Sequence, residues 1–248
     1  MTTSNRITNL YRKYTRAAKR FEKLNKPQRK AQLLQCLLRY ERQLQRLGVA
    51  ASLSFSLLGF TPEATAQTYP FNKEFQVNTF TNSEQRNPSV AMDADGDFVT
   101  VWQSNGQDGN SYDIYGQRYN SDGTTAGAEF LVNTFTNNNQ SAPSVAIEAD
   151  GDFVVVWESY SQDGSGFGIY GQRYNSDGTT EGMEFLINTY TTNIQRNPSV
   201  AMDANGDFVV AWQSYGNNGY GYGIYGQRYN SDGTTEGGEF QVNTFTAY

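Results

Sequence analysis

The sequence predicts an all-β body of three tandem 55-residue repeats, each a four-stranded antiparallel β-meander, behind a basic helical leader. Three observations carry this expectation. Glu-Phe pairs begin at Glu74, Glu129, Glu184 and Glu239, 55 residues apart each time. The first two units match at 38 of 55 positions, and IYGQRYNSDGTT stands unchanged at Ile114, Ile169 and Ile224. Within each unit, runs rich in β-branched and aromatic residues alternate with Gly, Asn and Asp-Gly turn signals, and no stretch of the body keeps a helical apolar period free of such breaks.

The leader differs in charge from everything after it. Residues 1–66 hold 13 Lys and Arg against 3 acidic residues (Glu22, Glu41, Glu63), a balance of +10, whereas residues 67–248 hold 6 basic and 22 acidic, a balance of −16. From Gly48 to Phe60 runs an apolar stretch of 13 residues, GVAASLSFSLLGF, preceded by Arg39, Arg42 and Arg46 and followed by Ala64-Thr65-Ala66. This is the anatomy of a signal peptide with cleavage after Ala66, and the stretch is shorter than the ~20 residues a spanning helix needs. Leu33, Leu34, Leu37, Leu38, Leu44 and Leu47 are spaced for an amphipathic helix ahead of it. That long basic part resembles the extended leaders of some bacterial exported proteins, and it reads either as a control on targeting or as a long region acting through its charge alone. The expected organisation is a leader over 1–66, a linker over 67–73 and repeats over 74–248, secreted or held at the cell surface.

Each repeat then reads as four segments. In the first unit, strand A covers 89–92 and is followed by the Asp93-Ala94-Asp95-Gly96-Asp97 turn, where Asp-Gly tolerates positive φ and closes a hairpin. Strand B, 98–102, is β-branched or aromatic throughout, which suits a strand covered on both faces. Strand C covers 114–120, and Ser121-Asp122-Gly123 turns the chain into strand D at 129–134. Such a sheet has two apolar faces and cannot bury both alone. Stacking one unit on the next does so, and radial stacking makes β-propeller blades. The segments PSVAMDANGDFVVAW at 198–212 and IYGQRYNSDGT resemble repeats of large secreted bacterial surface proteins, and look like the blades of sialidase-type propellers. The S-x-D-x-G-x-T-W box of the latter is absent, so catalytic residues do not carry over.

Strand D occurs four times but A, B and C only three, and three blades are too few for a closed ring of about 4 to 8. The chain must therefore associate as a homo-oligomer, remain open or be part of something longer, and the most economical answer is a two-chain ring of six blades in which the extra D strand completes a blade on the partner. The residue after Phe is Gln76 and Gln241 in the outer copies but Leu131 and Leu186 in the inner ones, as for an array with two solvated ends.

Several functions are excluded. The chain has no histidine, so Ser-His-Asp and Cys-His nucleophilic sites and His-ligated zinc are ruled out. The single cysteine, Cys36, lies in the leader, so the body cannot be disulfide-stapled. A body of −16 repels phosphate backbones, which makes nucleic acid an unsuitable partner.

The variable parts of the repeat lie in the B-to-C loops and the D-to-A linkers, which a meander brings to one end. There Tyr112, Phe167 and Tyr222 recur at one position, with Tyr160 and Tyr215 nearby, amid Gly, Asn and Gln. That mixture suits stacking on sugar rings with hydrogen bonds at their edges, so these five are the candidate ligand-binding residues of a non-catalytic binding or adhesion protein. The alternative is a structural module with no ligand. Asp93, Asp95 and Asp97 are the candidate metal ligands, for calcium, against the reading of a plain hairpin turn. Arg118, Arg173 and Arg228 recur in strand C and are expected to bridge neighbouring sheets. Glu84 and Glu158 are loop-proximal glutamates that break the repeat, and form the one pair a glycosidase would draw on.

Overall fold

The computed structural model describes residues 74–217, 219 and 221–244, which belong to a compact unit, Glu74–Tyr248. The leader, its cleavage site and the linker expected over 67–73 lie outside the described residues. Twelve strands and no helix occur among the described residues, in three four-stranded sheets that each follow chain order. The first sheet is β1 (Gln85–Met92), β2 (Phe98–Asn105), β3 (Tyr112–Tyr119) and β4 (Phe130–Leu131). The second is β5 (Gln140–Ile147), β6 (Phe153–Tyr160), β7 (Phe167–Tyr174) and β8 (Thr180–Leu186); the third is β9 (Gln195–Met202), β10 (Phe208–Tyr215), β11 (Tyr222–Tyr229) and β12 (Phe240–Gln241). All pairings are antiparallel, as the expected meander requires.

Strand A is longer than the sequence suggests because a bulge carries it through a breaker. Register shifts between Arg86 and Ser89 and between Ser141 and Ser144. At the bulge Asn87, Ala142 and Asn197 take φ of 52°, 50° and 53°. The following proline lacks an N–H and is tolerated there because β1, β5 and β9 are edge strands. Strand D is shorter than expected in the first and third sheets, pairing only at Phe130–Leu131 and Phe240–Gln241. Its phenylalanine lies across a strand-C glycine. A Cβ on Gly116 would stand 2.7 Å from the Phe130 ring, and one on Gly226 2.9 Å from Phe240.

The core lies between sheets. Val99, Val101, Ile114 and Val132 of the first sheet pack on Val145, Phe153, Val155, Trp157, Tyr170 and Tyr174 of the second. The same set one repeat on, including Val154, Val156, Ile169 and Ile187, packs on Phe208, Val210, Trp212, Tyr225 and Tyr229 of the third. Strand B is buried on both faces in β6, as expected, whereas burial alternates along β10, one face of which has no neighbouring sheet among the described residues.

Polar clamps repeat with the packing. Arg118 Nη1 donates to the Ser176 carbonyl at 2.8 Å and Arg173 Nη1 to that of Ser231 at 2.7 Å, so each arginine reaches the C-to-D turn of the next sheet. Glycine at that turn makes room: a Cβ on Gly178 would lie 2.6 Å from Arg118 Nε, and one on Gly233 2.8 Å from Arg173 Nε. Arg118 and Arg173 are therefore bridges, as expected. Burial depresses the Arg118 guanidinium below its ordinary value, with Asp177 opposing.

The first D copy, residues 74–79, forms no strand, so the described residues hold three D strands rather than four and every sheet has its own. Its role is that of the segment leading into each later sheet. Phe75 packs on Tyr119 at 5.6 Å as Phe130 does on Tyr174 at 5.6 Å and Phe185 on Tyr229 at 5.7 Å. The Tyr119 and Tyr174 hydroxyls donate to the carbonyls of Val77 and Val132 at 3.1 and 3.2 Å. Among the described residues each sheet thus has its full four strands. The leucine-to-glutamine difference between inner and outer copies carries less than expected too, because Leu131 and Leu186 are each 39% exposed at internal junctions.

Candidate functional site at the loop end

The aromatic residues singled out from sequence sit on strand ends, not on free loops. Strands B and C run further than their sequence patterns suggest, so that Asn105 pairs with Tyr112, Tyr160 with Phe167 and Tyr215 with Tyr222. The second and third sheets thus end in an aromatic pair: Tyr160 and Phe167 meet edge to face at 5.0 Å, and Tyr215 and Tyr222 at 5.1 Å. Tyr160, Tyr215 and Tyr222 are exposed, and Arg196 of β9 covers the Phe167 ring with its guanidinium 5.1 Å from the centroid.

Tyr112 differs. Its cross-strand neighbour is Asn105, its hydroxyl donates to Glu84 Oε2 at 2.6 Å, and Arg86 lies over its ring at 4.5 Å. The Glu84 hydrogen bond, first of several causes, raises the phenol above its ordinary value. The five candidates therefore resolve into two strand-end pairs, with Tyr160, Tyr215 and Tyr222 exposed and Phe167 half-buried under Arg196, and one capped tyrosine.

The glutamates of the last three Glu-Phe pairs anchor this end, a role the sequence disclosed only as an unvarying period marker. Glu129 Oε1 accepts from Gln107 Nε2 at 2.5 Å and its Oε2 from Thr79 N at 2.7 Å. Glu184 binds Gln162 and Thr134 in the same way, and Glu239 binds Asn217 and Thr189. One carboxylate thus ties the B-to-C loop to the linker from the preceding unit. Ser111 also bonds to Asn139, and Gly166 N donates to the Asn193 carbonyl at 3.1 Å, joining each loop to the next sheet's linker. The loops and linkers form one surface, as a meander predicts.

Glu84 and Glu158 are not brought to one reactive centre by any shared contact. Glu84 pairs with Arg86 at 3.6 Å and holds Tyr112, while Glu158 is buried, accepting from Ser141 Oγ at 2.8 Å and Asn197 N at 3.0 Å. Glu158 thereby spans the second and third sheets. Gln103 does the same one unit earlier, its Oε1 accepting from Asn87 Nδ2 at 2.8 Å and Ala142 N at 3.1 Å.

The Asp-rich turns lie at the opposite end, where the Ser121 N–H donates to Asp97 Oδ1 at 2.9 Å. Asp93 Oδ1 accepts from the N–H groups of Asp95 and Asp97 at 2.9 and 3.0 Å, closing the hairpin turn on itself. Among the described residues, three carboxylates come within 4.8 Å of one another at Glu148, Asp150 and Asp152 of the second copy, and not at Asp93, Asp95 and Asp97. The carboxylate cluster thus falls in the second copy of the turn and not in the first. Three oxygens are also well short of the ~6 to 8 that calcium takes.

One buried acid belongs to the first sheet alone. Asp113, replaced by Gly168 and Gly223 in the other copies, is fully buried and accepts from Asn133 Nδ2 at 2.7 Å. Burial, opposed by Asn133 and reinforced by Asp108, pushes its carboxyl from 3.8 up to about 7. The folded state then binds this proton more tightly than the unfolded chain. Stability present below pH ~4 is accordingly lost as pH rises through ~7, by up to about 1.4 kcal/mol per pH unit. Denaturant melts across that window check this, and Asp113→Asn should flatten the slope.

Comparison with known proteins gives no family model and no curated relative that matches the chain. Among solved structures, an endo-arabinase from Bacteroides thetaiotaomicron VPI-5482 is 19% identical with a TM-score of 0.43, over 63% of this chain and 60% of that one. A Hadza microbial sialidase is 13% identical with a TM-score of 0.46, over 64% of this chain and 37% of its own. A fucose lectin from Kordia zhangzhouensis, in complex with methyl-fucoside, is 14% identical with a TM-score of 0.36, over 64% of this chain and 99% of the lectin. The chain thus spans less than two thirds of the arabinase and of the sialidase. At these scores the likeness transfers no activity, and function has to be argued from the chain's own residues.

Proposed function

We propose that this is an exported, non-catalytic binding protein of the cell exterior that engages a glycan or similar surface polymer through the loop end of its second and third sheets. The observation that carries this is the two edge-to-face aromatic couples, Tyr160 with Phe167 and Tyr215 with Tyr222, held on adjacent strand ends with Tyr160, Tyr215 and Tyr222 exposed. Rings fixed by a β-ladder lose little freedom on binding, and their apolar faces suit the C–H faces of sugars, while neighbouring amides supply edge hydrogen bonds. Both repeat-breaking glutamates already serve structural partners, which supports binding without turnover. The acidic body supports a neutral ligand over an anionic one.

A glycan array on the full chain tests the reading. Tyr160→Ala and Tyr222→Ala should each weaken the retained ligand about tenfold, the order expected for a stacked aromatic at the centre of a contact. Tyr112→Ala should change it by less than about twofold, since that ring is already capped by Glu84 and Arg86. Absence of any glycan binding, or equal loss with all three variants, removes the proposal.

A further inference from the structure

We propose that the uncovered face of the third sheet binds the first sheet of a second copy of this chain, head to tail, repeating the junction the chain already makes twice within itself. The residues that fill the two internal junctions recur on this face, which no further sheet covers among the described residues. Val132 and Ile187 are each 3% exposed, while their counterpart Val242 is 52% exposed. Ile114 and Ile169 are fully buried, and Ile224 in the same unvarying segment is 36% exposed. Phe130 and Phe185 each pack on a tyrosine of the next sheet, whereas Phe240 is 41% exposed. The polar clamp is open as well. Arg118 and Arg173 reach the next sheet's turn carbonyl, but Arg228 lies out in solvent beside Glu236 at 3.9 Å.

The first sheet carries the matching half. It keeps Tyr119 where the other sheets use Tyr174 and Tyr229, and Ser121 and Gly123 where they use Ser176 with Gly178 and Ser231 with Gly233 to receive an arginine. Val90 is 63% exposed although its counterpart Val145, covered by a preceding sheet, is 6% exposed.

What already lies on Tyr119 identifies the occupant. Residues 74–81 read EFQVNTFT, and residues 239–246 read the same, whereas the two inner copies read EFLVNTFT and EFLINTYT. The segment beyond the third sheet is therefore chemically the one that the first sheet already accepts. In the assembly Phe240 of one copy takes the place that Phe75 holds on Tyr119 of the other. Because the two surfaces differ, the contact is heterologous, and it closes into a ring or extends as a chain according to the rotation between copies.

Sedimentation of the full 248-residue chain at tens of micromolar tests this. The wild type should form dimers or longer species. Val242→Lys and Val90→Lys, both at exposed positions that leave the fold intact, should each abolish assembly. An equimolar mixture of the two should restore a dimer and nothing larger, because each variant keeps one competent face. Phe75→Ala, which weakens the incumbent segment but not the incoming one, should raise the assembled fraction by roughly threefold or more. A monomeric wild type overturns the proposal. So does assembly by either lysine variant alone, failure of the mixture to pair, or an unchanged fraction with Phe75→Ala.

Discussion

Replacing Ile169 with alanine should lower the unfolding free energy by about 2–5 kcal/mol, while the same change at Ile224 should cost less than about 1 kcal/mol. The two residues occupy one position of an identical twelve-residue segment. Ile169 is fully buried against the third sheet and Ile224 is 36% exposed, so the difference isolates burial between sheets from any effect of local sequence. Deleting the Ile169 side chain leaves a cavity among Phe208, Val210 and Tyr229, large side chains that cannot all collapse into it. Chemical denaturation at low protein concentration checks this. Equal losses at the two positions would mean that the repeats are stabilised within each sheet and not by stacking.

Replacing Glu158 with alanine should destabilise the protein by about 3 kcal/mol, and replacing it with glutamine by less than about 1 kcal/mol. Alanine removes the acceptor for both Ser141 Oγ and Asn197 N at a buried point between two sheets. Glutamine retains a carbonyl oxygen there, and Gln103 shows that one such oxygen can serve two donors at this position. Thermal melts of the two variants decide between a bridging and a catalytic role. A catalytic carboxylate would tolerate neither substitution in function and would leave stability nearly unchanged, whereas a bridging one discriminates sharply in stability. Glu84→Ala should stay within about 0.5 kcal/mol because its partners Arg86 and Tyr112 lie at the surface.

The strands most legible in the sequence were those whose own residues carry the information. Strand B could be placed because an unbroken run such as Val154-Val155-Val156-Trp157 has to be covered on both faces. The Asp-Gly turns followed from the cheap positive φ of glycine, taken up by Gly96 at 81° and Gly151 at 94°. Strand A was cut short because Asn87-Pro88 reads as a breaker, and only pairing with β2 shows that a bulge absorbs it. The candidate aromatics were found by their recurrence among varied loops, yet nothing local distinguishes Tyr112 from Tyr222. Their difference comes from residues distant in the chain: Glu84 and Arg86 cap one, and Tyr215 flanks the other.

The amino-acid sequence by itself determined the repeat, its period, the meander and the bridging role of the strand-C arginines, because these are properties of one unit and of the need to cover both of its faces. Tertiary structure alone decided the roles of chemically identical copies. Phenylalanines of identical segments become a cover on the first sheet at Phe75 and an exposed edge at Phe240, and identical isoleucines become core at Ile169 and surface at Ile224. The physical reason is that burial and hydrogen bonding belong to the neighbour a residue meets, and a repeating sequence specifies the same residue at each step without specifying whether that neighbour is present.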